Sequence, residues 1–216
     1  MLYQLLRPLC RGIVRLVLVL HGGFRVKQEK NIPPQGGVLL CPNHVCDLDP
    51  PTVGMAVPRP VWFMAKSELF TMRFFSWLLP ALHAFPIKRD SADRMALTRA
   101  EALLKAGEAV VIFPEGGGNE EGTLQPLHPG ALLVALRAKV PIVPVALFNT
   151  NKALPYGAVK LQKSPEPITV VFGEPLDLSD LYGKKGAVDE ATRRLTERLA
   201  AMLEQPFPEG KPQKRD

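Results

Sequence analysis

Cysteine is scarce in this sequence of 216 residues, which contains only Cys10, Cys41 and Cys46. An odd, small number of cysteines excludes a disulfide framework, so we expect a reducing compartment. No two of the three have the spacing of zinc ligands, and no metal site is expected. The sequence also lacks the G-x-S-x-G nucleophile elbow and the Walker A pattern, so neither a serine hydrolase of that kind nor ATP binding is indicated.

Acidic residues are scarce in the N-terminal region, where most of the net charge of +6 resides. Residues 1–30 hold six basic residues and a single acidic one, Glu29. Such a balance indicates an acidic partner, for example a phosphate, an anionic membrane or an acidic carrier protein. The rest of the chain has no basic stripe interleaved with aromatic residues, which disfavours nucleic acid as the partner.

Residues 1–24 lack an apolar run long enough to span a membrane, because the longest, residues 16–20, falls far short of the ~20 residues required. Arg7, Arg11 and Arg15 recur every four residues and therefore form one stripe on a helix, with aliphatic residues filling much of the remainder. The pattern predicts a helix lying in a membrane surface, with its arginines on anionic headgroups. A cleaved signal peptide and an ordinary amphipathic core helix are the alternatives.

The hydrophobic content of 46% is too high for a disordered chain, and apolar runs alternate with helical patterns. Strands are predicted at residues 37–41, 61–65, 84–87, 109–113, 142–148 and 168–172. Helices are predicted at residues 50–57, 69–79, 91–105, 130–138 and 186–204. This alternation predicts one α/β domain over residues 25–204, with a mixed, mostly parallel sheet flanked by helices. Residues 205–216, rich in proline and lysine, are predicted to form a disordered tail.

Polar clusters follow four of the predicted strands, at the edge where α/β sheets bind ligands. His44 and Asp49, after the first strand, are candidates for a general base and its orienting carboxylate. Five residues apart, they cannot meet on a straight helix, but Asp49 before Pro50 predicts a helix N-cap and hence a turn. Asp47 is an alternative partner, Cys46 an alternative nucleophile, and an ordinary loop histidine beside a capping aspartate the simplest alternative.

The other clusters suit an anionic substrate. Lys66 and Arg89, with Lys88 as a further candidate, offer cationic contacts after the second and third strands. Gly116, Gly117 and Gly118 present backbone N–H groups that can hold an anion or an oxyanion, although a flexible turn is the alternative. Glu115 is a candidate either for binding a substrate hydroxyl or for orienting this loop.

In order and in spacing, residues 25–175 resemble the 1-acyl-glycerol-3-phosphate acyltransferase family, which carries an H-x4-D motif. The resemblance rests on five blocks: residues 43–50 (N-H-V-C-D-L-D-P), 64–70 (M-A-K-S-E-L-F), 85–89 (F-P-I-K-R), 113–116 (F-P-E-G) and 140–145 (V-P-I-V-P-V).

The resemblance implies acyl transfer from acyl-CoA or acyl-carrier protein to the free hydroxyl of 1-acyl-glycerol-3-phosphate, giving phosphatidic acid without a covalent intermediate. His44 would be the base, oriented by Asp49. Substrate contacts are expected from Asn43, Lys66, Arg89, Glu115, Gly116, Gly117 and Gly118. No cofactor is expected. The expected partners are a lysophospholipid, an acyl thioester and a membrane surface, with the protein peripheral or monotopic on the cytoplasmic face of the cell membrane.

One departure from the family concerns the acceptor. The family's third block continues F-P-E-G-T-R-S, but Gly117, Gly118 and Asn119 stand here, so the arginine is missing. His128 and Pro129 also precede Gly130 where the family commonly has a basic residue. Acyl transfer to another lyso-lipid or a phosphate-free acceptor is therefore an alternative. A thioester hydrolase and a non-catalytic acyl-binding protein at the membrane are further alternatives.

Overall fold

The computed structural model of the protein describes residues 2–88 and 93–212. The strands are Phe24–Lys27 (β1), Val38–Pro42 (β2), Val61–Lys66 (β3), Ala84–Ile87 (β4), Ala109–Val111 (β5), Ile142–Phe148 (β6) and Ile168–Phe172 (β7). The helices are Leu2–Leu20 (α1), Asp49–Ala56 (α2), Phe75–Ala81 (α3), Arg94–Lys105 (α4), Gly130–Ala138 (α5), Thr150–Ala153 (α6) and Ala187–Leu203 (α7). The predicted alternation of strands and helices is confirmed.

The strands form one sheet in the order β1-β7-β6-β2-β5-β3-β4. All neighbours pair in parallel except β6 and β7, which are antiparallel, so the predicted mixed, mostly parallel sheet is confirmed. Every residue of β2, at the centre of the sheet, is buried, as a parallel strand covered on both faces requires.

Helices cover both faces of the sheet. On one face, α4, α5 and α7 pack through Ala100, Leu132 and Leu195 onto side chains such as Leu39 and Val110. On the other face, α2 packs through Val53 onto a second apolar layer. A smaller cluster joins Leu18 of α1 to the segment between β2 and α2. The first helix is therefore attached to the same segment that carries His44.

Two elements differ from the predictions. Strand β1 was not predicted, because Phe24 and Val26 alternate with exposed Arg25 and Lys27 instead of forming a continuous apolar run. The single helix predicted at residues 69–79 is wrong: a 3-10 helix at Ser67–Thr71 ends before α3 begins. This stretch is apolar on nearly every side, so its periodicity could not locate the break.

The boundaries of two other segments follow from local contacts. Helix α4 begins at Arg94 because the carboxylate of Asp93 accepts a hydrogen bond from the N–H of Ala96, which makes Asp93 the N-cap. Residues 205–212 form neither helix nor strand, although the side chain of Gln205 accepts a bond from the N–H of Leu124. That the tail is disordered stays a prediction.

Helix α1 lies on the domain with its arginine side inward. Arg7 donates to the carbonyl oxygens of Val57 and Arg59, at 3.1 and 2.9 Å, and Arg11 also donates to Val57. These carbonyls follow the last turn of α2, where the helix dipole favours a cation. Two of the three arginines predicted to contact headgroups therefore bind the protein's own backbone, and Arg15 remains exposed.

A stack of three rings attaches the start of α1 to the edge of the sheet. The ring of His83 lies 3.6 Å from that of Tyr3 and 4.2 Å from that of Trp62, nearly parallel to both. Burial lowers the pKa of His83, which keeps its imidazole neutral between the two aromatic rings. Tyr3, on the first turn of α1, is thereby joined to β3 and to the residue that precedes β4.

The opposite side of α1 is apolar and exposed. Six large aliphatic side chains, spaced three or four residues apart, form this face: Leu2, Leu5, Leu9, Ile13, Leu16 and Leu20. A helix docked only for stability would turn this side toward the core. Among the described residues, no helix combines the length and the apolarity needed to cross a bilayer.

We expect the double variant Arg7→Gln, Arg11→Gln to loosen α1, because the carbonyls at the end of α2 lose charged donors. Unfolding should become easier by about 2 kcal/mol, and amide hydrogen exchange within α1 should accelerate while α7 stays protected. Arg15→Gln, which changes an exposed arginine of the same helix, is the matched control. Unchanged exchange in the double variant would show that these bonds do not hold the helix.

Candidate active site

The register of the sheet aligns three of the predicted clusters. Leu40 of β2 pairs with Val111 of β5, and His44 and Glu115 each follow four residues after those partners. Phe63 of β3 also pairs with Val111, and Lys66 follows three residues later. Because these strands are parallel, the segments after them leave the sheet at one edge, as predicted from the sequence.

His44 and Asp49 are in contact. The Nδ1 atom of His44 lies 2.9 Å from Oδ2 of Asp49, and both residues are buried, with 5% and 0% of their surface exposed. An ionised carboxylate can only accept hydrogen bonds, so the ring donates through Nδ1 and the proton occupies that nitrogen. The other ring nitrogen, Nε2, is thereby left with the lone pair that a general base needs.

The same carboxylate shapes the segment between β2 and α2. Oδ2 of Asp49 also accepts from the backbone N–H groups of Val45 and Cys46, at 2.7 and 2.9 Å. The predicted turn is present, but the predicted N-cap is not, because Leu48 holds that position and the carboxylate points back to the preceding loop. Asp47, the alternative partner of the histidine, is exposed.

The loop after β5 holds the backbone of His44 from both sides. The N–H of His44 donates to Oε1 of Glu115 at 2.7 Å, and the side-chain amide of Asn119 donates to the carbonyl of His44 at 3.2 Å. The second carboxylate oxygen of Glu115 accepts from the N–H of Gln125 at 2.9 Å. These contacts favour the second role considered for Glu115, orientation of the loop.

Asn43 also acts on the backbone. Its amide accepts from the N–H of Leu147 at 2.7 Å and donates to the carbonyl of the same residue at 3.3 Å. The side chain thereby extends the pairing of β2 with β6 by one step beyond the strand. These contacts indicate that Asn43 positions the adjacent His44, and its predicted contact with substrate stays a prediction.

The glycine loop packs directly against the segment that carries His44. A Cβ atom on Gly118 would lie 3.1 Å from the backbone carbonyl of Val45, and one on Gly116 would lie 3.1 Å from the ring of His128. Gly116 also has a φ of +78°, which side-chain-bearing residues rarely adopt. Close packing and backbone conformation therefore favour glycine at these two positions. Whether Gly116, Gly117 and Gly118 also bind substrate stays a prediction.

Two of the three predicted cationic contacts, Lys66 and Lys88, lie among the described residues. Lys66 ends β3 at the same edge of the sheet as the segment that carries His44, and it is half-buried. Lys88 is exposed, and its N–H donates to the carboxylate of Asp93. Arg89 lies outside the described residues, so its contribution stays a prediction.

Two neighbours of His44 were not assigned a role from the sequence. Asn119 was noted only as part of the segment that replaces the family's T-R-S, and nothing in the sequence indicated that it would reach the carbonyl of His44. The ring of Phe113 lies 4.4 Å from the imidazole, at an angle of 38°. An apolar residue that ends a predicted strand carries no signal that it will contact a base.

Cys46 is not suited to be the nucleophile. Burial, followed by the charge of Asp49, raises the pKa of its thiol to about 12, so the thiol stays protonated at neutral pH. The sulfur lies 3.7 Å from Oδ1 of Asp49 and donates a weak bond to it. The described residues thus offer a base oriented by a carboxylate, with no activated thiol beside it, and this arrangement suits proton removal from a bound hydroxyl.

Comparison with known proteins identifies the family. A family model described as Acyltransferase matches residues 23–148, more than half of the chain. The chain is 32% identical over 196 residues to the 1-acyl-sn-glycerol-3-phosphate acyltransferase of Bacillus subtilis, covering 90% of each. It is 31% identical over 193 residues to the enzyme of that name from Streptococcus pneumoniae, covering 88% of this chain and 68% of the relative. The chain therefore belongs to the acyltransferase family and is an acyltransferase.

A solved structure confirms the fold. The 1-acyl-sn-glycerophosphate acyltransferase PlsC of Thermotoga maritima superposes with a TM-score of 0.77, covering 94% of this chain and 80% of that one. The two sequences are 20% identical, so this likeness concerns the fold alone.

We expect Cys46 to be dispensable for chemistry, because its thiol gains reactivity only as the pH approaches about 12. At pH 7.5, alkylation of Cys46 in the folded protein should be at least about tenfold slower than alkylation of the more exposed Cys10, as followed by mass spectrometry. Cys46→Ser should retain acyl transfer within about tenfold of the parent rate. Rapid labelling of Cys46 accompanied by loss of activity would contradict this assignment.

Proposed function

We propose that this acyltransferase moves an acyl group from a thioester to the free hydroxyl of 1-acyl-glycerol-3-phosphate, giving phosphatidic acid. The observation that carries the proposal is the bond between Nδ1 of His44 and Asp49, which fixes the tautomer that a general base requires. Two relatives that match about nine-tenths of this chain bear the name of an enzyme of that type, which supports this acceptor.

The proposed mechanism is direct. Nε2 of His44 takes the proton of the acceptor hydroxyl as its oxygen attacks the carbonyl carbon of the thioester. The C–S bond then breaks, and the leaving thiolate takes the proton back from His44. Asp49 stabilises the imidazolium that exists between the two steps. The bonds of Glu115 and Asn119 to the backbone of His44 keep the ring from moving as its charge changes.

The phosphate of the acceptor needs cations at the same edge of the sheet. Lys66 is the described residue best placed for this role, and Arg89 is the expected second contact. For the donor, both acyl-CoA and acyl-carrier protein supply the thioester that this mechanism uses.

A second acceptor class has one observation in its favour. In register with the family's F-P-E-G-T-R-S, Gly118 stands at the position of the third-block arginine. The amide of the next residue, Asn119, is engaged with the backbone carbonyls of His44 and Thr123. Neither residue therefore supplies a positive charge to a phosphate. Acylation of another lyso-lipid or of a phosphate-free acceptor by the same base is the alternative function.

The lipid acceptor and the exposed face of α1 together support action at a membrane. An apolar helical face next to basic residues binds to the headgroup and acyl boundary of a bilayer. Three free cysteines are compatible with a reducing compartment. We therefore place the protein on the cytoplasmic face of the cell membrane, as a peripheral or monotopic protein.

We expect His44→Ala to lower the rate of lysophosphatidic acid acylation by about 10³-fold, because the hydroxyl loses its general base. Thiol release from acyl-CoA or acyl-carrier protein, together with formation of phosphatidic acid, measures the rate. His21→Ala, which changes a histidine at the end of α1, is the matched control and should leave the rate close to that of the parent.

A panel of acceptors with one labelled donor separates the two acceptor classes. Preference for lysophosphatidic acid supports the proposal, whereas equal or faster acylation of phosphate-free acceptors would favour the alternative. Failure to acylate lysophosphatidic acid with either donor would rule the proposal out. Thiol release without any acylated product would instead indicate hydrolysis.

A further inference from the structure

Three large apolar side chains project from the connection between β3 and β4. Met72, Phe74 and Trp77 expose 51%, 59% and 51% of their surface, and we refer to these three as the aromatic patch. The ring of Phe74 lies 5.9 Å from that of Trp77, in an edge-to-face arrangement. The two large rings are therefore held against each other before any partner binds.

The aromatic patch is next to α1, and along the chain it follows a predicted phosphate contact, Lys66. The chain leaves β3 at Lys66 and passes through the 3-10 helix at Ser67–Thr71 directly into the patch. Helix α3 contacts α1, and His83, two residues after the end of α3, stacks on Tyr3 of α1. The patch is thereby connected to α1 at one end and to a predicted phosphate contact at the other.

Basic residues outnumber acidic ones in the segments that form and flank the aromatic patch, although Glu68 is exposed in the 3-10 helix that precedes it. Residues 69–88 contain Arg73 and Lys88 and no acidic residue, and residues 1–28, which include all of α1, also contain none. Arg73 is exposed within the patch itself. Exposed tryptophan and phenylalanine beside basic residues match the composition of proteins at the boundary between headgroups and acyl chains, and an anionic bilayer complements the charge.

We propose that the aromatic patch is a second membrane-docking element, separate from α1, which inserts into an anionic lipid surface next to the active site. The proposal rests on the proposed function, because it assigns the aromatic patch to the membrane from which a lipid acceptor would be drawn. Contacts at two distinct elements fix the orientation of the domain on the bilayer, whereas α1 alone would leave it free to rotate about the helix. A second copy of the chain is the competing occupant.

Native fluorescence tests the insertion directly. The chain has two tryptophans, Trp62 and Trp77, so Trp62→Phe leaves Trp77 as the single reporter. Vesicles of phosphatidylglycerol and phosphatidylcholine with brominated acyl chains should shift its emission to the blue and quench it, more strongly as the anionic fraction rises. The difference in quenching between the parent and Trp77→Phe gives the same information if Trp62→Phe folds poorly. Co-sedimentation with the same vesicles records binding independently.

Variants connect insertion with activity. Phe74→Ser with Trp77→Ser should weaken vesicle binding by about tenfold or more, and should lower activity on a vesicle-embedded acceptor more than on a short-chain, monomeric acceptor. Met95→Ser with Phe207→Ser removes two large, exposed apolar side chains elsewhere, at 83% and 50% exposure, and is the matched control. It should change neither binding nor the ratio of the two activities.

Two results would overturn the proposal. One is vesicle binding of the active protein with no quenching of Trp77, which would leave α1 as the docking element. The other is a dimer in sedimentation equilibrium that Phe74→Ser with Trp77→Ser dissociates, which would assign the aromatic patch to a second copy. Activity on the monomeric acceptor reports the acyltransferase reaction separately, so either result leaves the proposed function standing.

Discussion

The carboxylate of Asp49 accepts hydrogen bonds from the ring of His44 and from two successive backbone N–H groups of the loop between β2 and α2. A buried carboxylate without donors is strongly destabilised, so the loop is held in the conformation that supplies all three. The orientation of the imidazole is therefore a consequence of folding and does not wait for the substrate. Glu115 and Asn119 extend this constraint to the loop after β5, so the site forms only when β2 and β5 pair.

The same segment links the site to α1, the helix that we propose to face the membrane. Leu18 of α1 packs with Val45, Cys46 and Leu48 of the loop, and the other end of α2 receives Arg7 and Arg11. Two charged side chains of α1 make their hydrogen bonds within the protein, so the apolar side of the helix faces outward. The short helix α2 thus begins with Asp49, and the backbone carbonyls that follow its last turn bind the arginines of α1.

Most of the fold could be predicted because its signals are local. Each of the six predicted strands is present, since buried parallel strands read as continuous apolar runs bounded by turn residues. Strand β1 was not predicted, because this edge strand shows only a short alternation of Phe24 and Val26 with charged residues. The break between the 3-10 helix and α3 was not predicted, because the residues on both sides of it are apolar.

In the site, too, contacts between residues close in sequence could be predicted, and contacts between distant residues could not. His44 and Asp49 could be paired from their spacing and the proline that follows, because a turn brings them together locally. The roles of Asn43 and Asn119 could not be predicted, because each depends on a backbone atom brought near only by the sheet, at Leu147 and His44 respectively. The inward direction of Arg7 and Arg11 likewise depends on where α2 ends, which periodicity within α1 cannot reveal.

The position of the proton on His44 tests the role of this residue as the base most directly. Nitrogen NMR of protein carrying 15N-labelled histidine, recorded at alkaline pH and assigned with His44→Gln, reports which ring nitrogen is protonated. We expect a proton on Nδ1, hydrogen-bonded to Asp49, an unprotonated Nε2, and loss of this pattern in Asp49→Asn. A proton on Nε2 of His44 in the parent protein would contradict that role, because this nitrogen could not then accept the proton of an acceptor hydroxyl.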